Sequence, residues 1–201
     1  MRTLLALGFA ALALGASGGP PDRYGVEPES RFWIDGSTAA GGFTCAARDV
    51  DGAGTVNGAS AAHVAGRVLV PVRAFDCGNR RMNADFARAL KGGAHPSIRF
   101  EIHSARVTGP GAAGWTRATA TGSLEVAGVR RPVTVDVDGQ TAPDGRVHLR
   151  GRMPMRMSDF NVRPPTGLFG LVRAHDRIAV RFSVVVARDG PAEPVVTGRR
   201  L

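Results

Sequence analysis

Ser97-Ile98-Arg99-Phe100-Glu101-Ile102 sets apolar and polar residues in strict alternation. Side chains alternate across an extended strand, so Ile98, Phe100 and Ile102 share one face and Arg99 and Glu101 the other. Such a strand has one dry side and one wet side. The same pattern recurs in Val133-Thr134-Val135-Asp136-Val137 and in Val147-His148-Leu149-Arg150-Gly151-Arg152-Met153. It closes with Ile178-Ala179-Val180-Arg181-Phe182-Ser183-Val184. Strands of this kind, joined by short turns, form an antiparallel sandwich or a closed barrel. In a barrel the dry face becomes an interior that can hold an apolar ligand.

The rest of the chain fits that frame. Strands are predicted over residues 30–36, 42–51, 64–75, 97–107, 115–126, 129–137, 147–157 and 177–187. Asp51-Gly52 and Gly54 read as turn residues. Pro71 lacks a ladder donor, which predicts an edge or a bulge in the third strand. Val126-Ala127-Gly128-Val129 reads as a tight hairpin, and Pro143-Asp144-Gly145 as a turn. Ala118, Ala120, Gly122 and Leu124 share one face, and small residues there leave space. One helix is predicted over residues 80–91. Asn79 caps it, Met82, Phe86, Ala89 and Leu90 form its apolar stripe, and Gly92-Gly93 and Pro96 stop it. It reads as a lid or plug over one barrel end or flank.

The 201 residues suffice for one domain with a real core but not comfortably for two. Four segments are expected: a signal peptide at 1–17, an extended linker at 18–29, a barrel domain at 30–188 and a disordered tail at 189–201. The signal reading rests on Arg2, the apolar run of residues 4–14 and the small residues Gly15, Ala16 and Ser17. Cys45 and Cys77 are the only cysteines. In an exported chain two thiols usually pair, so a disulfide is expected, against the alternative of two buried thiols. The net charge of +9 is almost wholly arginine, since Lys91 is the only lysine. The arginines fall at alternate strand positions, which describes a solvated outer face and no nucleic-acid interface. Transient contact with a membrane surface fits the same charge.

A search for catalytic or cofactor motifs finds none. His63, His95, His103, His148 and His175 lie outside HxH and HExxH spacings, so no metal site is predicted. Gly58-Ala59-Ser60-Ala61-Ala62 lacks the last glycine of a nucleophile elbow, and no phosphate-binding glycine loop is present. Met157-Ser158-Asp159-Phe160-Asn161-Val162-Arg163-Pro164-Pro165 breaks the alternation and reads as a rim loop shaping the cavity mouth.

Three features together resemble the YceI-like family, lipid- or polyisoprenoid-binding domains of bacterial periplasms. The first is the order of short strands, helix and Pro96-Ser97-Ile98-Arg99-Phe100. The second is Gly122-Ser123-Leu124-Glu125-Val126-Ala127-Gly128-Val129-Arg130-Arg131-Pro132-Val133, similar to the family's G-x-L-x-x-x-G-V-x-x-P-V hairpin. The third is Ser158-Asp159-Phe160-Asn161-Val162, similar to its S-D-F-G-I element. Three departures stand out. Asp35-Gly36-Ser37-Thr38 carries no His where many members have His-Ser, Asn161 replaces a glycine, and the cysteine pair is not a general family feature.

The resemblance implies an all-β, antiparallel, lipocalin-like barrel of about eight strands with one helix. It implies no enzyme and no cofactor, but a ligand: an isoprenoid or other amphiphilic lipid, held in the interior for carriage or storage. Strand phase selects Phe100, Ile102, Leu124, Val135, Met155, Phe160 and Phe182 as lining residues. Two rivals remain open: a periplasmic stress or interaction module with a filled barrel, and a small hydrolase with an unrecognised site.

Overall fold

A computed structural model describes residues 21–57, 63–167 and 172–189. The expected signal peptide at 1–17 and the Gly58–Ala62 near-elbow lie outside the described residues, as do residues 168–171 and 190–201.

The strands run in chain order as β1 (Asp22–Val26), β2 (Arg31–Thr38), β3 (Gly41–Ala47), β4 (Asp51–Asn57), β5 (His63–Pro71) and the short β6 (Phe75–Asp76). After helix α1 (Arg80–Ala89) come β7 (Ser97–Pro110), β8 (Thr116–Val126), β9 (Val129–Thr141) and β10 (Val147–Arg156). The minor pair β11 (Thr166–Gly167) and β12 (Val172–Arg173) precedes the last strand, β13 (Arg177–Arg188).

The sheet closes. The ring β1-β4-β5-β7-β8-β9-β10-β13 returns to β1, antiparallel at every step, and makes an eight-stranded barrel. β13 shares one edge between two partners: Ala179 to Ser183 pair with β2, and Val186 to Arg188 with β1. β1 and β2 therefore act as one broken strand. The break falls at Ser30, which is fully buried and hydrogen-bonded to both backbone groups of Val185. β3 continues from β2 to β6 at one end of the barrel.

Two strands depart from the sequence reading. Asp22–Val26, within the stretch expected to be an extended linker, is a strand of the ring. Asp51–Asn57, read through Gly52 and Gly54 as a turn, is strand β4. Its glycines are there for close packing rather than for turning. Gly54 faces Gly66 across the pair, and a Cβ on Gly54 would lie 3.0 Å from Ala65 O. Pro71 also behaves differently. β5 is a central strand, flanked by β4 and β7, and Pro71 is simply its last residue. The missing donor is harmless where the ladder ends. Asp189, assigned to the tail, donates its N–H to Arg23 O at 2.8 Å.

The hairpin between β8 and β9 forms as expected. Ala127 and Gly128 both adopt positive φ, 51° and 81°, the combination of a two-residue hairpin turn that follows the sheet twist. Asn79 caps α1 by accepting the Met82 N–H at 2.9 Å. The helix stripe is buried unevenly. Phe86 packs on Phe75, ring centroids 5.0 Å apart, and Leu90 is buried, whereas Met82 is 36% exposed. Cys45 and Cys77 form a disulfide across the β3–β6 end, both buried. The bond fastens the strand that leads into α1.

Candidate ligand cavity

The inward phase of the barrel strands does not fill the space it encloses. A cavity of about 840 Å³ runs through the interior. Its wall is overwhelmingly apolar: Val, Ile, Leu, Phe, Met and Ala from every strand of the ring. All seven residues selected by strand phase lie on this wall: Phe100, Ile102, Leu124, Val135, Met155, Phe160 and Phe182.

The space has a local cause in β8. Ala118 and Ala120 face inward opposite Val137 and Val135, so two adjacent levels of wall carry only methyl groups on that strand. Gly122 comes next: a Cβ there would lie 2.1 Å from the Glu101 backbone oxygen and 2.8 Å from Phe100 Cε2, so the close approach of the β7 backbone is what requires a glycine.

One end is closed by α1 and by the segment after β10. Leu90, Leu124, Val126, Phe160 and Val162 pack together there, none more than 8% exposed. The Ser158-Asp159-Phe160-Asn161-Val162 element thus forms a floor, not the mouth expected of a rim loop. Asn161 holds the left-handed conformation that a glycine would take, at φ 53° and ψ 30°. Asp176 fastens the turn by accepting from Ser158 N at 2.8 Å and Ser158 Oγ at 2.7 Å. Those bonds hold the Asp176 carboxyl below its ordinary range. Arg131 Nε adds a third tie, donating to Asp159 O at 3.0 Å.

The sequence reading missed Tyr24, Val26 and Val56, which line the cavity from β1 and β4, and Gln140 and Thr141 at the end of β9. Tyr24 and Val26 do alternate with Arg23 and Gly25, so their phase was visible once β1 was recognised.

Most ion pairs lie off the cavity wall, Arg156 with Asp176 excepted. Arg130 pairs with Glu101 at 2.9 Å, Arg146 with Glu29 at 2.8 Å, and Arg150 with Asp138 at 3.5 Å while stacking over Trp115. Asp35, Asp159 and Asp176 do not converge: Asp35 pairs with Arg181, and Asp176 bonds to Ser158. Ser37 Oγ lies 3.0 Å from His175 Nδ1, and among the described residues no carboxylate bonds to that imidazole. No group of three or more His, Cys, Asp or Glu gathers among the described residues. No helix among them is long and apolar enough to cross a membrane.

A closed antiparallel barrel with a floor helix and a large apolar interior defines a class of ligand-binding barrels. Residues 29–186 match the YceI-like domain, and the chain belongs to that family. Solved structures agree on the fold. Burkholderia cenocepacia BcnA is 21% identical with a TM-score of 0.66, covering 81% of this chain and 99% of its own. A polyisoprenoid-binding domain from Saccharophagus degradans, implicated in plant cell wall breakdown, is 10% identical with a TM-score of 0.61, covering 82% and 98%. The Campylobacter jejuni YCEI protein is 17% identical with a TM-score of 0.55, covering 95% and 99%. No curated protein matches the chain.

Proposed function

We propose that this protein is an exported carrier or store for a long apolar molecule, an isoprenoid or similar amphiphilic lipid, bound inside the barrel without chemical change. The cavity carries the reading. Its volume of about 840 Å³ lies within the ~300–1,000 Å³ range of small-molecule sites. Its wall offers an apolar chain roughly 25 cal/mol for each Å² removed from water. A barrel selected only for packing would not leave its inward methyl groups on β8 facing open space, because unfilled apolar volume is destabilising. That observation weighs against the filled-barrel reading. The Saccharophagus degradans relative, described as polyisoprenoid-binding, supports the ligand class. The Cys45–Cys77 disulfide suits an oxidising compartment such as the periplasm, in line with the signal-like residues 1–17.

Native mass spectrometry of protein purified from its own host tests the reading. A lipid-sized adduct, recovered as an isoprenoid or fatty amphiphile on extraction, is the expected result. Clean spectra without adduct, together with no uptake of long-chain isoprenoids in vitro, would sink it.

A further inference from the structure

Helix α1 has two faces of different chemistry. Its inner stripe, Phe86, Ala89 and Leu90, lines the floor of the cavity. At 3.6 residues per turn, Arg80, Arg81 and Arg88 fall on the opposite side, and Lys91 follows at the C-terminal end. All four are exposed. Arg73, from the turn Val72–Ala74, borders Ala87 and Gly92 and adds a fifth exposed cation. Asp85 is the one acid of the helix, and its pairing with Arg88 at 2.6 Å leaves that arginine side chain 75% exposed. Asp76, ahead of the helix, accepts from the Gly78 N–H and the Asn83 amide.

These cations stand where the helix itself disfavours them. The first turn opens with Arg80-Arg81 and holds no acid, so two positive charges face the positive end of the helix dipole. At the other end Lys91 N–H donates to Arg88 O at 3.0 Å, and Gly92 N–H to Ala87 O at 2.8 Å. That capping motif puts Lys91 at φ 54°, the left-handed region where glycine is favoured. The chain spends its only lysine there, although glycines follow at 92 and 93. Local choices that oppose the element carrying them mark a surface kept for something other than its stability.

We infer that the outer face of α1 is a docking surface for an anionic lipid bilayer, with Arg73, Arg80, Arg88 and Lys91 on the lipid phosphates. The cations extend over about 16 Å from Arg80 to Lys91, at 1.5 Å per residue, along the convex side of a helix. Such a face meets a flat array of headgroups and offers no cleft along it for a single chain. Each basic side chain near an anionic bilayer strengthens binding about five-fold. A docked α1 stands between the bilayer and the cavity, with one face toward each. The inference rests on the lipid-carrier reading, which gives the protein a reason to visit a membrane.

Vesicle flotation of protein purified from its own host tests it. The vesicles are pure phosphatidylcholine and an equimolar mixture of phosphatidylcholine and phosphatidylglycerol. Binding is expected to the mixed vesicles only, and it should weaken with added salt. Arg80→Gln with Arg88→Gln should reduce it about thirty-fold. Lys91→Gly should reduce it about five-fold and keep the fold, since glycine suits a positive φ. Arg106→Gln with Arg117→Gln removes the same charge from exposed arginines of β7 and β8, away from α1, and should leave binding unchanged. Equal losses from the two pairs would reduce the attraction to net charge. A loss from the β7–β8 pair alone would move the contact to the other end of the barrel. Either result overturns the inference, as do equal binding to both vesicles and binding to heparin but to neither vesicle. Uptake of a long-chain isoprenoid from detergent solution is measured on the same variants. Uptake without vesicle binding sinks the docking surface alone, and docking through α1 without uptake sinks the carrier reading alone.

Discussion

The Ser30 hydroxyl grips both backbone groups of Val185: Oγ accepts the Val185 N–H at 3.1 Å and donates to Val185 O at 3.3 Å. Ser30 is fully buried, and the contact sits where the first barrel strand breaks into β1 and β2. A side chain here replaces the ladder bonds that the break removes. Ser30→Ala would leave a buried N–H unpaired, and the expected loss is about 1–3 kcal/mol in urea denaturation with an unchanged m-value. A loss below the ~0.5 kcal/mol typical of surface substitutions would show that water or a shift of the strand serves equally well.

Which strands the sequence revealed, and which it hid, has the same physical origin. Strands β7, β9, β10 and β13 carry large apolar side chains at most alternate positions, so their phase is visible in the residues themselves, whereas β8 shows it only through Ala118, Ala120 and Leu124. β4 reads Asp-Gly-Ala-Gly-Thr-Val-Asn. Its inward positions are Gly52, Gly54 and Val56, and the first two signal by having no side chain, which is also how a turn signals. β1 has five residues and a charged start, and its pairing with β4 and β13 is a tertiary fact. Six of the seven lining residues, all but Phe160, were legible because strand phase fixes direction. Whether an inward side chain meets a neighbour or open space depends on the barrel radius and on what stands across it. No local pattern carries that. The floor role of Phe160 was hidden for the same reason: its partner Leu90 is 70 residues away in the chain.

The Cys45–Cys77 disulfide closes a loop with a sequence separation of 32 residues. The chain-entropy account gives about 3–4 kcal/mol of stabilisation for a loop of that size. The double replacement Cys45→Ala with Cys77→Ala should therefore lower unfolding stability by that order and keep the barrel, since the ring pairings do not pass through β3 or β6. Circular dichroism of the variant should retain the strand signal while its denaturation midpoint falls. Labelling of denatured, unreduced native protein should detect no free thiol; two labelled thiols per chain would refute the bond.

Asp35 accepts from Arg181 through Nε and, at 2.9 Å, through Nη2, and from Thr44 Oγ1 at 2.8 Å. The Arg181 bond is the main reason its carboxyl drops from 3.8 to about 2, against the opposing push of partial burial. The folded value lies below the unfolded one. The stabilisation is thus complete above about pH 4 and is lost as pH falls toward 2. The side chains are 28% and 43% exposed, so screening leaves about 1 kcal/mol of it. Asp35→Asn should be less stable than the parent by that amount near neutrality, and the gap should close as the solution is acidified. A gap that stays constant down to pH 2 would remove the ion pair from the account.

Ala120 is the position where adding volume separates a carrier from a packed barrel. It is 8% exposed, faces Val135 and Ala105 across its two ladders, and lines the cavity. In a filled core, a phenyl ring at this site would force its neighbours apart and destabilise by about 1–3 kcal/mol. In an open cavity the ring enters free space, buries its own apolar surface and displaces ligand. Phenylalanine suits the test better than tryptophan, because it brings no N–H that would need a partner in an apolar wall. Ala120→Phe should therefore match or exceed the parent in thermal stability when both are stripped of lipid. Its uptake of a long-chain isoprenoid should fall by at least about ten-fold, the equivalent of ~1.4 kcal/mol of lost binding. A variant that is destabilised yet binds as before would mean that Ala120 is walled in by side chains and that the ligand, if there is one, sits elsewhere.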